Sequence, residues 1–204
     1  MEQITINDNG GYEYLRQISK PVEINDKKIH EDIKVVEDFC SKNVCFAMAP
    51  IQLGIPKRVI YIKNSTLDIP ITNIEYDEHT VLINPKMISS KGEATYWEKC
   101  RSCGDNVGLV HRPYEVVFEF YDEKFIKHKK KFQGFISTIL CHEYDHLDGI
   151  LHMDRAEKLI TIPMTLEERI AFRDKKENGY IIISKQGEFN YSEKPIKSYK
   201  AKEE

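Results

Sequence analysis

The chain has 204 residues, enough for one domain with a proper hydrophobic core, and its 41% hydrophobic and 31% charged residues suit a soluble globular protein. A formal net charge of −3 gives no support for DNA or RNA binding, because such domains are usually strongly basic. Five cysteines, no long apolar run and no signal-peptide pattern at the start indicate a cytoplasmic protein with reduced thiols and no membrane segment.

An amphipathic helix is the first element that the pattern predicts. Asn25 and Asp26 can cap it, and it covers about residues 27–41, with apolar residues at helical spacing. Those apolar residues are Ile29, Ile33, Val36 and Cys40. A loop of small and apolar residues follows over 43–54.

Strands dominate the middle of the chain. Residues 58–63 predict a buried strand, and residues 81–85 predict another that Pro85 ends. Residues 114–121 are rich in β-branched and aromatic residues, and a short turn directs them towards a partner strand at about 127–132. The basic side chains of this partner strand are expected to face solvent.

Two further helices are predicted after the strands. The first begins after Gly134, covers about residues 135–147 and stops at Gly149. The second is short and follows a capping box formed by Thr165 and Glu168.

The end of the chain differs in character from the rest. Residues 180–183 predict a strand that Gly187 turns into a small hairpin with residues 188–191. The lysine-rich tail after it is expected to be mobile. The elements together predict an α+β fold in which mixed antiparallel sheets pack around a central helix.

The most informative motif is the His-Glu-Tyr-Asp-His stretch on the central helix. His142 and His146 are four residues apart, so they project from one helix face and can bind a single metal ion. Glu143 between them can act on water as a general base or proton shuttle. The sequence therefore predicts a catalytic metal site on this helix.

A catalytic metal usually has three protein ligands and one open position, so a third ligand is needed. The candidates are Cys100, Cys103, Cys141 and His152. Cys141 points about 100° away from His142 on the helix. It is therefore expected to be a small buried residue of the core rather than a metal ligand.

Two other metal sites are compatible with the same residues. The spacing of His142, His146 and His152 matches the three-histidine pattern of metzincin proteases, but that pattern also needs a methionine turn, for which only the distant Met164 remains. His152 is then expected to be an ordinary strand residue. Cys100-Arg-Ser-Cys103 could instead be a redox pair, or close a structural zinc site with the two helix histidines, although Glu143 and Asp145 would then have no purpose.

Three ordered motifs resemble those of the peptide deformylase family. Residues 45–54 are similar to its glycine-rich loop ending in Gln-x-Gly, residues 98–102 to its Glu-Gly-Cys-Leu-Ser motif, and residues 141–149 to its Gln-His-Glu-x-Asp-His-Leu-x-Gly motif. The similarity extends over about residues 13–155. The resemblance implies a deformylase-like catalytic domain over 1–155, followed by an extension over 156–204 with a helix, a possible hairpin and a mobile tail.

The resemblance implies a hydrolase that removes formate from the N-formyl-methionine of new polypeptides. Cys100 would be the third ligand of one divalent metal ion, natively Fe(II), with Zn(II), Ni(II) or Co(II) as substitutes. Glu143 would take the proton of the attacking water and return it to the leaving amine. The Gln52 side-chain amide and the backbone NH of Arg101 would stabilise the oxyanion. Asp145 would orient a ligand or the helix.

The resemblance also implies a substrate pocket and partners. The residues that would contact substrate are Phe46, Ala47, Lys99, Phe135, Thr138 and Ile139. The partners would be N-formylated nascent peptides, with a transient ribosome contact through the basic residues 127–131. No DNA and no membrane are expected.

The chain departs from the family motifs at the residues that would contact substrate. Cys45 and Ala47 replace glycines of the first motif, and their added Cβ atoms would narrow or shift the substrate cleft. Lys99 and Arg101 replace a glycine and an apolar residue of the second. These changes leave open two alternatives, a hydrolase of another formyl or acyl amide and a non-catalytic metal-holding binding module.

Overall fold

A computed structural model describes residues 2–43, 45–63, 79–162, 165, 167–168, 171–172, 175 and 178–191 of the chain. The helices with described bounds are α1 (Gly11–Leu15), α2 (Ile29–Lys42), α3 (Phe135–Leu147) and α4 (His152–Arg155). The strands are β1 (Ala47–Met48), β2 (Val59–Lys63), β3 (His79–Lys99), β4 (Asn106–Arg112), β5 (Glu115–Tyr121), β6 (Lys127–Gln133), β7 (Ala156–Thr161) and β8 (Ile181–Glu188). This mixture of helices and antiparallel strands confirms the predicted α+β class.

The described strands join in one antiparallel sheet rather than in separate sheets. Its main path has the order β1-β2-β3-β4-β7, while β5 and β8 also pair with β3, and β6 pairs with β5. The 21-residue β3 can have so many neighbours because different parts of its length pair with different strands. Its end carries the residues that enter the candidate site.

The prediction that Pro85 ends a strand is wrong, because β3 continues through it to Lys99. The pairing of β3 with β5 shifts register between Ile83 and Lys86, and Asn84 has a φ of 50°. A bulge of this kind accommodates a residue that has no NH to donate. The Asn84 side chain is held there by two hydrogen bonds of 2.8 Å to the backbone of Val22.

Helix α2 starts two residues later than the sequence predicts, at Ile29, and Asp26 accepts a hydrogen bond from the Lys28 backbone just before it. The four apolar residues predicted to share one face are all buried. They pack against β2 and the first part of β3 in one hydrophobic cluster. Burying such a face is the main stabilising contribution of an amphipathic helix.

Helix α3 lies over the sheet and coincides with the predicted central helix. Its apolar side packs on Ile60, Leu82 and Phe118 of three strands. It ends at Leu147, and the following Gly149 has a φ of 68°. A Cβ at Gly149 would lie 2.2 Å from the Arg16 carbonyl oxygen, so both the conformation and the close packing require glycine there.

The residues after 155 extend the same sheet. Strand β7 pairs with β4, and β8 pairs with the second half of β3, from Lys91 to Thr95. The hairpin predicted between residues 180–183 and 188–191 is therefore wrong: β8 runs through Gly187, and its described partner is β3. The sequence could not reveal this, because pairing with a distant strand leaves no local signal.

The predicted capping box is present at Thr165 and Glu168. The Thr165 backbone NH donates to Glu168 at 2.7 Å, and the Glu168 NH donates to the Thr165 hydroxyl at 3.2 Å. Parts of the short helix predicted after it and the whole predicted mobile tail lie outside the described residues, so the tail and the division at residue 155 stay predictions. Among the described residues, no helix is long and apolar enough to cross a membrane.

Candidate functional site

Cys100, His142 and His146 come together where the end of β3 meets α3. One ligand atom from each lies within 4.8 Å of the others. The two histidines share a helix face because they are four residues apart. Cys100 reaches them because it directly follows β3 and precedes a short 3-10 turn over Arg101–Cys103. Cys100 and His146 are fully buried, and His142 is partly exposed.

The orientation of His142 is set by a buried carboxylate. Its Nδ1 lies 2.8 Å from Oε2 of Glu98. That hydrogen bond places the proton on Nδ1 and leaves Nε2 as the atom that can bind a metal. Glu98 is buried, so its carboxylate is available to hold the imidazole rather than to face solvent.

Arg112 keeps Glu98 charged in this buried place. Its guanidinium donates to both Glu98 oxygens, at 2.8 and 2.9 Å, and also to Asp145. Burial alone would raise the pKa of Glu98, but Arg112 and the hydrogen bond with His142 lower that pKa below its ordinary value. Asp145 is 2% exposed and ion-paired, so it is not a solvated helix residue.

The Cys-His-His group fits a single divalent metal ion. Nε2 of His146 lies 3.2 Å from Sγ of Cys100, so these two atoms face the same point. The hydrogen bond with Cys103 and burial raise the pKa of Cys100 to about 12, so a thiolate there needs a cation beside it. Sulfur with two imidazoles is a donor set that Zn(II) and Fe(II) accept.

Glu143 and Gln52 are positioned by one residue of the loop after β1. The backbone NH of Ala49 donates to Glu143 Oε2 at 2.8 Å and to the side-chain Oε1 of Gln52 at 3.2 Å. The Gln52 amide nitrogen is therefore turned towards Cys100, with Sγ at 3.5 Å, and towards Ser102, with Oγ at 3.1 Å. Burial raises the pKa of Glu143 above its ordinary value. Both groups thus sit beside the Cys-His-His group.

One cavity of about 450 Å³ opens onto this group. Every residue that the sequence assigned to catalysis or to substrate contact lines it, and so do two of the three proposed metal ligands. Those residues are Phe46, Ala47, Gln52, Lys99, Cys100, Arg101, Phe135, Thr138, Ile139, His142 and Glu143. His146 is buried behind them. The structure brings the predicted residues together, while their roles stay proposals.

The four substituted residues, Cys45, Ala47, Lys99 and Arg101, all line the cavity. The Cys45 thiol donates to the Ala47 carbonyl at 3.1 Å. The Arg101 guanidinium donates to Gln3 at 3.0 Å and to Asn43 at 3.3 Å. The cavity still has the volume of a small-molecule site, so these side chains do not close it.

The other candidate ligands lie outside the metal group. His152 is buried and stacks on His142, with ring centroids 5.8 Å apart, but its nitrogens are not among the clustered ligand atoms. It begins α4, so the prediction of a strand residue is wrong. Cys103 and Cys141 are both buried and free, and neither belongs to the group.

Several residues of this region were not predicted from the sequence, and four of them matter most for its structure. Arg112 could have been found, because it follows Val110 by two residues and therefore shares the inward face of β4. Trp97 and Phe172 line the cavity and pack edge to face, with centroids 5.6 Å apart. Tyr191 donates and accepts hydrogen bonds beneath α3. No local pattern marks the last three.

The fold and the site together define a metal-binding hydrolase of α+β type, with a glutamate beside a buried Cys-His-His group. The family model described as polypeptide deformylase matches residues 3–161, which is most of the chain. The chain belongs to the polypeptide deformylase family. The predicted family, fold and enzyme class are confirmed.

Relatives and solved structures agree with this assignment. The chain is 35% identical over 150 residues to a peptide deformylase of Rhizobium meliloti (strain 1021), covering 71% of this chain and 80% of the relative. It is 32% identical over 162 residues to peptide deformylase 2 of Clostridium acetobutylicum, and the match covers 78% of this chain and 98% of the relative. A crystal structure of a Synechococcus elongatus peptide deformylase in complex with actinonin matches with a TM-score of 0.65 and 28% identity. The match covers 78% of this chain and 79% of that one.

Proposed function

We propose that this protein removes the formyl group from the N-terminal formyl-methionine of newly made polypeptides. The observation that carries the proposal is the placement of Glu143 beside the Cys100, His142 and His146 group, on a cavity that can admit a side chain. A non-catalytic metal-holding module would have no need for a carboxylate oriented in this way by the Ala49 NH.

Cys100, His142 and His146 would hold the metal ion, and we propose Fe(II) as the native ion. When bound, a divalent ion acts as a Lewis acid and makes hydroxide available near neutral pH. The Cys-His-His set suits both Fe(II) and Zn(II), and the family resemblance favours iron. Glu98 fixes the imidazole of His142 through its Nδ1.

Glu143 would move the proton during hydrolysis. Its Oε2 is fixed by the Ala49 NH, so the carboxylate has a defined orientation towards the cavity. A carboxylate in this place can take a proton from the attacking water and later deliver it to the leaving amine. General acid–base catalysis of this kind requires the group to be within one hydrogen bond of both atoms.

Gln52 and the backbone NH of Arg101 would donate to the oxygen that becomes negative in the transition state. The side-chain amide of Gln52 is oriented by its Oε1, which accepts a hydrogen bond from the Ala49 NH, so its nitrogen points towards Cys100. Preorganised donors of this kind contribute much of the electrostatic stabilisation in acyl transfer. Arg101 lies in the turn directly after Cys100, next to the metal group.

The methionine side chain would enter between α3 and β3. Phe135 and Ile139 line the cavity from α3, and Tyr96 packs edge to face on Phe135 with centroids 4.9 Å apart. An unbranched thioether side chain fits an apolar and aromatic pocket well. Phe46, Ala47, Lys99 and Thr138 would complete the substrate contacts.

The first test is formate release from formyl-Met-Ala-Ser by protein purified anaerobically and loaded with Fe(II), Co(II) or Ni(II). We expect a kcat/KM of about 10⁴ M⁻¹ s⁻¹ or higher, in the usual range for enzymes on their own substrates. The same peptide with an N-acetyl group serves as the control, and it should release no acetate at a comparable rate. Absence of turnover with one metal ion bound per chain would contradict the proposed function.

We propose a cytoplasmic location, where nascent chains carry formyl-methionine. All five cysteines are free and buried, which suits a reducing compartment. A transient ribosome contact would use the basic strand β6, whose residues Lys127, Lys129 and Lys131 are exposed. Clustered cations on an exposed edge favour encounter with an RNA surface.

Reversing two charges on β6 should weaken this contact. Lys129→Glu with Lys131→Glu is expected to lower the fraction of protein that sediments with ribosomes about tenfold at low salt, since each exposed ionic contact contributes up to about 1 kcal/mol. The control reverses Lys34 and Lys42 on α2, which leaves β6 unchanged while altering net charge equally. If both double variants sediment alike, β6 is not the contact.

A further inference from the structure

Tyr191 lies well beyond residue 161, where the match to the family model ends, yet it touches the helix that carries the candidate metal ligands. It follows β8, whose pairing with β3 brings the end of the described chain beneath α3. Phe189, two residues before Tyr191, is also anchored to β3, because its carbonyl accepts a hydrogen bond of 2.6 Å from the Ser90 hydroxyl. The segment is therefore docked on the catalytic domain.

The Tyr191 hydroxyl occupies the centre of a buried charge network. It accepts a hydrogen bond from Arg112 at 2.8 Å. Its own proton can go to Asp145 Oδ1 at 2.7 Å or to the Cys141 carbonyl at 3.0 Å. Arg155 stacks on its ring, with the guanidinium carbon 4.3 Å from the centroid.

A continuous path of hydrogen bonds leads from this hydroxyl to a candidate metal ligand. Arg112 joins Tyr191 to Glu98, and Glu98 joins Arg112 to Nδ1 of His142. A second, shorter path reaches the same helix turn through Cys141, which directly precedes His142. Each residue of the path is hydrogen-bonded to the next, so the position of Arg112 affects the geometry of the hydrogen bond between Glu98 and the His142 imidazole.

We propose that Tyr191 is a positioning residue, through which the C-terminal segment sets the orientation of His142 and thereby the geometry of the metal group. This inference rests on the proposed function of that group as a metal site. The hydroxyl suits this role because it accepts a hydrogen bond from the Arg112 guanidinium without adding a negative charge. Arg112 already pairs with two carboxylates, and a third would leave an excess of negative charge in a buried place.

The neutral state of Tyr191 is secured by its surroundings. Burial raises the pKa of this hydroxyl well above its usual value, so it keeps its proton at neutral pH. A phenylalanine at this position would keep the ring that packs on Arg155 but leave Arg112 with one acceptor fewer. The guanidinium would then shift towards its remaining carboxylates, and Glu98 would shift with it.

The test compares the full-length Tyr191→Phe variant with the unchanged chain, both loaded with Co(II). Mutating the direct hydrogen-bond partner of a metal ligand, here Glu98, typically weakens metal binding 10- to 100-fold, and Tyr191 lies two partners further out, beyond Arg112. We expect about three- to tenfold weaker Co(II) affinity, a shifted visible absorption spectrum of bound Co(II), and a lower kcat for formate release with KM unchanged.

Ser90→Ala is the matched control, because it removes the hydrogen bond that anchors the same segment without touching the network. We expect this variant to keep the unchanged chain's Co(II) spectrum and affinity. An unaltered spectrum and affinity in Tyr191→Phe would overturn the proposal, as would equal changes in Ser90→Ala. The Co(II) measurements do not depend on turnover, so they separate this inference from a failure of the proposed reaction.

Discussion

Replacing Glu143 with glutamine is expected to lower kcat for formate release about 10²- to 10⁴-fold, the usual contribution of a positioned general acid–base group. Glutamine keeps the size of the side chain and can still accept the hydrogen bond from the Ala49 NH, but it cannot take or return a proton. Because Cys100, His142 and His146 are unchanged, the variant should bind one metal ion per chain. Stopped-time formate assays and elemental analysis of the purified protein measure the two results.

Asp148→Asn is the control for this experiment. Asp148 lies at the end of the same helix, where its carboxylate pairs with Arg58 outside the cavity. It should leave kcat within about twofold, as expected for a surface substitution. A Glu143→Gln variant that retains both its metal and its activity would exclude Glu143 as the proton carrier.

Replacing Arg112 with methionine is expected to destabilise the protein by about 3–5 kcal/mol, which is typical when one partner of a buried ion pair is removed. Glu98 would lose both hydrogen bonds from the guanidinium, and Asp145 would keep its ion pair with Arg155 and its hydrogen bond from Tyr191. Urea unfolding followed by circular dichroism measures the change in the free energy of unfolding.

The effect of this substitution should depend on pH in a defined direction. Arg112 lowers the pKa of Glu98, so the stabilisation is present above the ordinary carboxylate pKa of about 4.3 and is lost as the pH falls below it. The difference between the variant and the unchanged chain should shrink in acid. Lys34→Met, which removes a cation from an exposed helix pair, should cost less than about 1 kcal/mol at any pH. Equal losses for both variants would show that Arg112 contributes no more than a surface charge.

Local sequence patterns predicted those features that depend only on residues within one element. The bounds of α3, the buried face of α2 and the capping box at Thr165 all follow from side-chain spacing or from hydrogen bonds between neighbours. Long-range pairing was not predictable in this way. Strand β3 continues past Pro85 because a bulge accommodates the proline, and β8 pairs with β3 instead of forming a local hairpin.

The same division holds within the candidate site. The sequence by itself determined the helix with two histidines and a glutamate, and three motifs in fixed order identified the family. Only the tertiary structure decided that Glu98 orients His142, that Arg112 keeps Glu98 charged, and that Tyr191 reaches this network from outside the matched region. The reason is physical: spacing along one helix fixes which side chains share a face, whereas the partners of a buried charge come from whichever strands the folded chain brings against it.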